Sequence, residues 1–284
     1  MRILWGLMLL VITLSGCVRY GRLKASAALP KKLNECSGMT TLDGKTLWVI
    51  EDGGNADNLY GINTKGEIVA TFEVSNAKNK DWEALCSDSL GNLYIGDFGN
   101  NKSERKNLAI HKLPNPHVEK GEKIPATQIR FRYPDQKSFP PPFAERRFDA
   151  EAFFHYKDRL YIITKNQADP FNGKAYVYSI PDKPGEYVAK AEFQFSTCED
   201  RSSCRVTDAA LSPDGKRLVL LGYGTLWIFD DFDKKQFGSG PDRTIDLGAS
   251  TQLEAICFVR NDLLYLADER VMRAGGNLYA FPLP

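Results

Sequence analysis

Apolar and polar positions alternate with a period of two over short runs, and turn residues interrupt the runs every few positions. The pattern is clearest over residues 81–101, DWEALCSDSLGNLYIGDFGNN. An acidic start (Asp81, Trp82, Glu83) leads into small and apolar residues (Ala84, Leu85, Cys86). A Leu-Gly-Asn turn follows, and then a second strand in which Leu93 and Ile95 alternate with Tyr94 and Gly96. Four other places repeat this hairpin: residues 33–39 into 46–52, 149–153 into 159–165, 206–211 into 217–222, and 252–256 into 263–268. The acids Glu35, Glu83, Glu151, Asp208 and Glu254 recur at intervals of roughly 46 to 68 residues, the period of four-stranded propeller blades.

The strand count sets the number of blades. Third strands are predicted over 58–63, 108–113, 174–180, 225–229 and 277–283, and fourth strands over 67–74, 128–133, 187–195 and 243–247. The fifth unit reaches the end of the chain one strand short. Residues 22–29 supply the missing outer strand and close the ring, which removes the open edge of a linear array. The reading is all-β: one five-bladed propeller over residues 22–284. Six blades remain an alternative if residues 114–147 hide further strands. Phe139-Pro140-Pro141-Pro142-Phe143 in that segment cannot be a central strand and reads as an excursion over the disc.

If each innermost strand begins at its acid, Glu35, Glu83, Glu151, Asp208 and Glu254 ring one mouth of the central channel. The loops joining second to third strands lie on the same face. They bring Asp52 and Asn55, Asp97 and Asn100, Lys165, and Asp268 to it, with Trp82 and Arg147 alongside. Packing between blades is the better account of Trp82, although it adjoins Glu83 at the mouth. The two D-x-G-N matches combine glycine turns with Asp and Asn oxygens. Carboxylates about 7 Å apart at an effective dielectric near 20 repel by about 2 kcal/mol per pair. A hard divalent cation would offset this, and calcium tolerates irregular oxygen geometry best, which makes calcium the candidate cofactor. Pairing with Lys165, Arg146, Arg147, Arg205 or Arg270 would also offset it, as would protonation. The acids could equally accept hydrogen bonds from neighbouring strands with no ligand at all.

Charge narrows the partners. With 37 basic and 36 acidic residues the formal net charge is +1, and no basic block stands out, which argues against nucleic acid. A monomer with a small-molecule or protein ligand is expected. Cys198 and Cys204 bracket a polar loop, where a disulfide would contribute roughly 2 kcal/mol on the chain-entropy model. Cys36, Cys86 and Cys257 fall on innermost strands and read as buried, inert thiols. His111, His117 and His155 share no metal-ligand spacing. No G-x-S-x-G elbow occurs, and Gly44-Lys45-Thr46 reads as a strand turn rather than a phosphate loop.

Residues 1–16 carry Arg2 and an apolar run too short to span a membrane, with the flanks of a signal peptide. Leu14-Ser15-Gly16-Cys17 resembles the lipobox of bacterial lipoproteins. The resemblance implies cleavage before Cys17, lipidation of its thiol, a tether over residues 17–21 and attachment to a membrane. Val18 stands where an aspartate would retain the protein in the inner membrane. The implied location is therefore the outer membrane, facing periplasm or cell surface.

The segments LWVIEDGGN, DWEALCSDSLGNLYIGDFGNN, DAEAFF with LYIITK, and VTDAALSPDG together resemble a group of exported bacterial β-propeller proteins, mostly uncharacterised. More distantly the pattern is similar to calcium-dependent apyrase propellers, which hydrolyse nucleoside diphosphates, and to esterase-like phytase and SdiA-regulated propellers. The apyrase likeness implies calcium-ligand positions at Glu35, Glu83, Glu151 and Glu254, with Asp208 departing from glutamate. Two functions follow: a cation-binding scaffold, or a metal-dependent hydrolase of phosphoester or ester bonds. In the second, Glu83 or Glu151 is the base and Lys165 or Arg147 holds the anion.

Overall fold

The computed structural model describes residues 18–284 and consists almost wholly of β-strands. The predicted signal peptide and the lipidation site Cys17 lie outside the described residues. Alternating apolar positions fold into five sheets arranged as a five-bladed propeller. In blade order the innermost strands are Cys36–Thr41, Trp82–Ser87, Ala150–Tyr156, Val206–Leu211 and Leu253–Arg260. Each pairs antiparallel with the next strand in sequence. The fifth blade is closed by Ala25–Ala28, which pairs with Asn277–Pro282, Ala28 facing Asn277.

The core lies between the blades rather than within them. Five buried apolar clusters occupy the five seams. Between blades 1 and 2, for example, Trp48, Ile50 and Phe72 meet Trp82, Leu85 and Ile95. A strand buried on both faces must be apolar at successive positions, and Leu47–Glu51 and Leu218–Gly222 are buried throughout.

Two expectations change. Residues 114–147 do not make a sixth blade: Lys123–Pro125 adds to the outer edge of blade 1, parallel to Ile68–Ser75, and Thr127–Arg132 completes blade 2. The outer strand predicted over 187–195 is two strands. Gly185–Val188 pairs in parallel with Thr127–Arg132 of blade 2, while Lys190–Ser196 pairs within blade 3. The break falls at Ala189, which is buried and donates its N–H to the Arg132 carbonyl at 2.9 Å. Each short parallel strand therefore bridges adjacent blades. The Cys198–Cys204 disulfide forms as predicted, and Cys36, Cys86 and Cys257 are buried free thiols.

Candidate functional site: an acidic mouth on the propeller axis

One irregularity recurs at the start of all five innermost strands and builds the mouth. Cys36 pairs with Glu51 but Gly38 with Ile50, so Ser37 is an extra residue in its strand. The same slip leaves Glu83, Glu151, Thr207 and Glu254 extra in the other four blades. A bulge of this kind turns the inserted side chain away from the regular alternation.

The five acids predicted as one ring are thereby divided. Glu83, Glu151 and Glu254 share the bulge position, but Ser37 and Thr207 occupy it in blades 1 and 4. Ser37 Oγ donates to the Trp82 carbonyl at 2.7 Å and Thr207 Oγ1 to the Leu253 carbonyl at 2.7 Å, each reaching the next strand around the axis. Glu35 lies two residues earlier, level with Asp81 and Asp149. Asp208 lies one residue later, fully buried. It accepts from the N–H of Ala209 at 2.8 Å and of Ile256 in the next blade at 2.8 Å. It fills the channel wall rather than facing the mouth.

A second repeating position follows each second strand: Asp52, Phe98, Lys165, Tyr223 and Glu269. Lys165 is the cation of the mouth. Its Nζ lies 3.0 Å from Glu151 Oε2 and 3.7 Å from Glu254 Oε1. Tyr223 donates its hydroxyl to Glu254 Oε1 at 2.7 Å, and its ring lies 5.3 Å from the Lys165 ammonium. Burial alone would discharge Lys165, but Glu151 and Glu254 overcome it and hold the ammonium charged.

On the other side of the mouth the acids are in excess: Arg105 reaches Asp81 at 3.7 Å, but Asp52 and Glu83 have no basic partner among the described residues. Asp52, Asp81 and Glu83 each offer a carboxylate oxygen, and these oxygens lie within 4.8 Å of one another. Gly53 and Gly99 make this convergence possible, since a Cβ at either would run into the Asp81 carboxylate, and at Gly99 into Glu83 as well. Burial pushes Glu83 well above the ordinary glutamate range, and Glu151, Asp52, Asp149 and Asp81 push it further. Burial and then Asp52 raise Asp81 to about 6, against the pull of Arg105, which stands 3.7 Å away. Burial raises Glu254 to about 7 and Glu151 to about 8 despite Lys165. Glu269 reaches about 8 through burial and its neighbours Glu254 and Asp52.

Other predicted face residues are committed to the scaffold. Trp82 is fully buried in the seam between blades 1 and 2. Asp97 accepts from Arg105 at 2.7 Å, and Asp268 accepts from Thr251, from Tyr279 at 2.8 Å and from the Asn277 N–H at 2.8 Å. Asn100 donates its backbone N–H to Asp149 at 2.7 Å and accepts from the Arg105 N–H at 2.8 Å. Arg147 pairs with Asp135 at 3.0 Å, not with an axial acid. Asn55 stays at the mouth, donating to Glu35 Oε2 at 2.6 Å. Tyr223 and Glu269 fall in second-to-third loops that the sequence reading puts on this face, while Asp81 and Asp149 are members that residue-type matching missed. The signal for them was positional: each is flush with a recognised residue in another blade.

A solved structure shares the fold. A PQQ-bound aldose sugar dehydrogenase from Streptomyces coelicolor superposes with a TM-score of 0.55 at 13% identity, covering 93% of this chain and 99% of that one. A streptogramin B lyase superposes with a TM-score of 0.40 at 14% identity, covering 92% and 73%. No family model and no curated protein matches the chain.

The channel also opens at the opposite face, into a cavity of about 710 Å³ lined by residues of all five blades, including Thr40, Cys86, Phe154, Ala210 and Cys257. Near it Asp88, His155 and Asp182 converge. That trio is internally satisfied: His155 bonds Asp182 at 3.0 Å and stacks on Tyr94, while Asp88 accepts from Tyr94 at 2.9 Å and Asn92 Nδ2 at 2.7 Å.

Proposed function

We propose that the protein is an envelope-anchored binding propeller whose acidic mouth holds a divalent cation at Asp52, Asp81 and Glu83, and through it a small-molecule or protein ligand. The observation that carries this reading is the convergence of three carboxylates of which, among the described residues, only Asp81 has a basic partner, Arg105 at 3.7 Å, while Lys165 is engaged across the mouth by Glu151 and Glu254. Three carboxylates plus carbonyl oxygens and water suit calcium, which accepts irregular sets of six to eight oxygens. The lipobox at Cys17 supports an outer-membrane anchor for the same protein.

A scaffold is favoured over a hydrolase by the state of the basic residues. Lys165 is paired with two carboxylates and Arg147 with Asp135, so neither is free to hold a substrate anion. Glu151 and Glu254, raised to about 8 and about 7 chiefly by burial, are the mouth groups suited to acid–base work if a hydrolase operates here.

Thermal unfolding with calcium, magnesium or a chelator tests the proposal. A cation bound only by the native state at 100 times its dissociation constant adds about 2.7 kcal/mol. A calcium-specific rise in midpoint that disappears in Glu83→Gln supports the site. A midpoint indifferent to every cation overturns it. Metal-dependent turnover of a generic phosphoester, lost in Glu83→Gln and Glu151→Gln, would transfer the protein to the hydrolase class.

A further inference from the structure

Residues 19–22 are fixed on the mouth side of the disc, at the seam between blades 4 and 5. The Arg19 N–H donates to Ser250 Oγ at 3.0 Å, and its carbonyl accepts from the Ser250 N–H at 2.7 Å. The Arg22 N–H donates to the Leu247 carbonyl at 2.8 Å. Ser250 and Leu247 belong to the loop that enters Leu253–Arg260, the innermost strand that carries Glu254 to the mouth.

Beside this segment stands the loop that follows the second strand of blade 5. Its base is tied on both sides: the Arg270 N–H donates to the Asn34 carbonyl at 2.7 Å, and the Gly275 N–H to the Tyr20 hydroxyl at 3.1 Å. Val271 and Ala274 exchange backbone hydrogen bonds of 2.9 and 3.0 Å, which closes a turn over Met272 and Arg273. Met272 adopts φ +56° in that turn, a conformation uncommon outside glycine, and it is 95% exposed. Val271 and, at the start of the neighbouring segment, Val18 are exposed as well. A strained turn that holds a long apolar side chain out in water points to a surface it meets.

Charge and reach indicate which surface. Arg19 and Arg273 are exposed at this corner, and neither takes part in an ion pair among the described residues. Apolar side chains flanked by unpaired arginines suit a phospholipid surface with anionic headgroups. Leu90, exposed on the opposite face, shares its turn with Asp88 and no basic residue. If Cys17 carries lipid, only Val18 separates it from the fixed Arg19, and two residues of chain span at most about 7 Å. The headgroup layer is itself roughly 5–8 Å deep on each side of a bilayer, so a tether this short cannot hold the disc away from it.

We propose that the corner formed by Val18, Arg19, Val271, Met272 and Arg273 docks on the phospholipid headgroups, with Met272 entering the interface and the two arginines meeting phosphates. This rests on the anchor proposed at Cys17. The unbalanced carboxylates Asp52, Asp81 and Glu83 belong to blades 1 and 2, whereas the docking corner belongs to blades 4 and 5, so positive charge meets the bilayer first. The mouth then opens toward the membrane, and the ligands it meets are those carried at the bilayer surface.

Fluorescence quenching tests this on the full chain with its own lipid, reconstituted in vesicles of phosphatidylethanolamine and phosphatidylglycerol. Met272→Cys and Leu90→Cys place labels on the two faces, since Cys36, Cys86 and Cys257 are buried and Cys198 is bonded to Cys204. A quencher carried on the lipid should reduce emission at position 272 at least threefold more than at position 90. Arg19→Glu combined with Arg273→Glu should halve the quenching at position 272 while the protein still floats with the vesicles. Protein that floats but is quenched equally at both positions, or more at position 90, leaves the anchor standing and overturns the docked orientation. Undiminished quenching in the double variant overturns it as well. Protein that does not float overturns the anchor at Cys17, and the docking with it.

Discussion

The Lys165 ammonium lies 3.0 Å from the Glu151 carboxylate, both at the ends of neighbouring strands in blade 3. This ion pair is almost entirely buried, and it divides the mouth into a compensated half and one in which carboxylates outnumber the single partner Arg105. Removing one partner of a buried pair leaves a charge with no counterpart and typically costs 3–5 kcal/mol. Lys165→Met should therefore lower stability by about 3 kcal/mol in urea unfolding at pH 8. The loss should shrink at pH 5, where Glu151 and Glu254 take up protons.

Stability should fall as pH rises from about 5 to 8 in the presence of a chelator. Asp81 is raised to about 6, Glu254 and Glu51 to about 7, and Glu151 and Glu269 to about 8. A carboxyl whose pKa is raised by folding keeps its proton in the native state after the unfolded chain has released its own. Its stabilising effect is complete below the unfolded value near 4 and is lost as pH passes the folded value. Thermal midpoints across that range measure the slope. Calcium should flatten it, because a bound cation replaces the protons.

Asp208→Asn should leave the calcium response intact. The Asp208 carboxyl accepts two backbone N–H groups and lies below the mouth, so the variant loses part of a hydrogen-bonding arrangement worth about 1 kcal/mol. Equal calcium shifts in Asp208→Asn and the parent, against none in Glu83→Gln, would separate the structural acid from the binding one.

Trp82→Ala should lower stability by about 3–5 kcal/mol in urea unfolding, the usual cost of emptying a large buried aromatic site. It should do so equally with and without calcium. A specific loss of the calcium response in a variant that remains folded would instead give Trp82 a role at the mouth.

The blade count, the closure by an N-terminal strand and the gathering of acids at one end of the innermost strands were legible in the sequence, because period, turn residues and alternation repeat in each unit. The ring of five acids was not. Matching by residue type placed Glu35 beside Glu83, yet the bulge makes Ser37 its counterpart, and Asp208 took the place of Thr207. The more reliable marker was the small residue that follows four of the five bulges, Gly38, Ala84, Ala152 and Ala255, with Asp208 in that place in blade 4; a Cβ on Gly38 would press into the backbone of Ala84 and Leu85. The neutralisation of Asp97 by Arg105 and the hydrogen bond from Tyr279 to Asp268 depend on side chains meeting across a fold, which spacing does not encode.

The short parallel strands Lys123–Pro125 and Gly185–Val188 bear on how the mouth responds to occupancy. Each carries chain that belongs to one blade onto the edge of its neighbour, so the seams between blades 1 and 2 and between blades 2 and 3 are riveted by backbone hydrogen bonds. Asp52 comes from blade 1, and Asp81 and Glu83 from the start of blade 2, so the converging carboxylates straddle the first riveted seam. Such a seam resists splaying, and the like charges stay in place when no ligand is bound. On the proposed reading the disc is rigid and preloaded there: a cation arriving at these carboxylates would relieve repulsion without reshaping the ring.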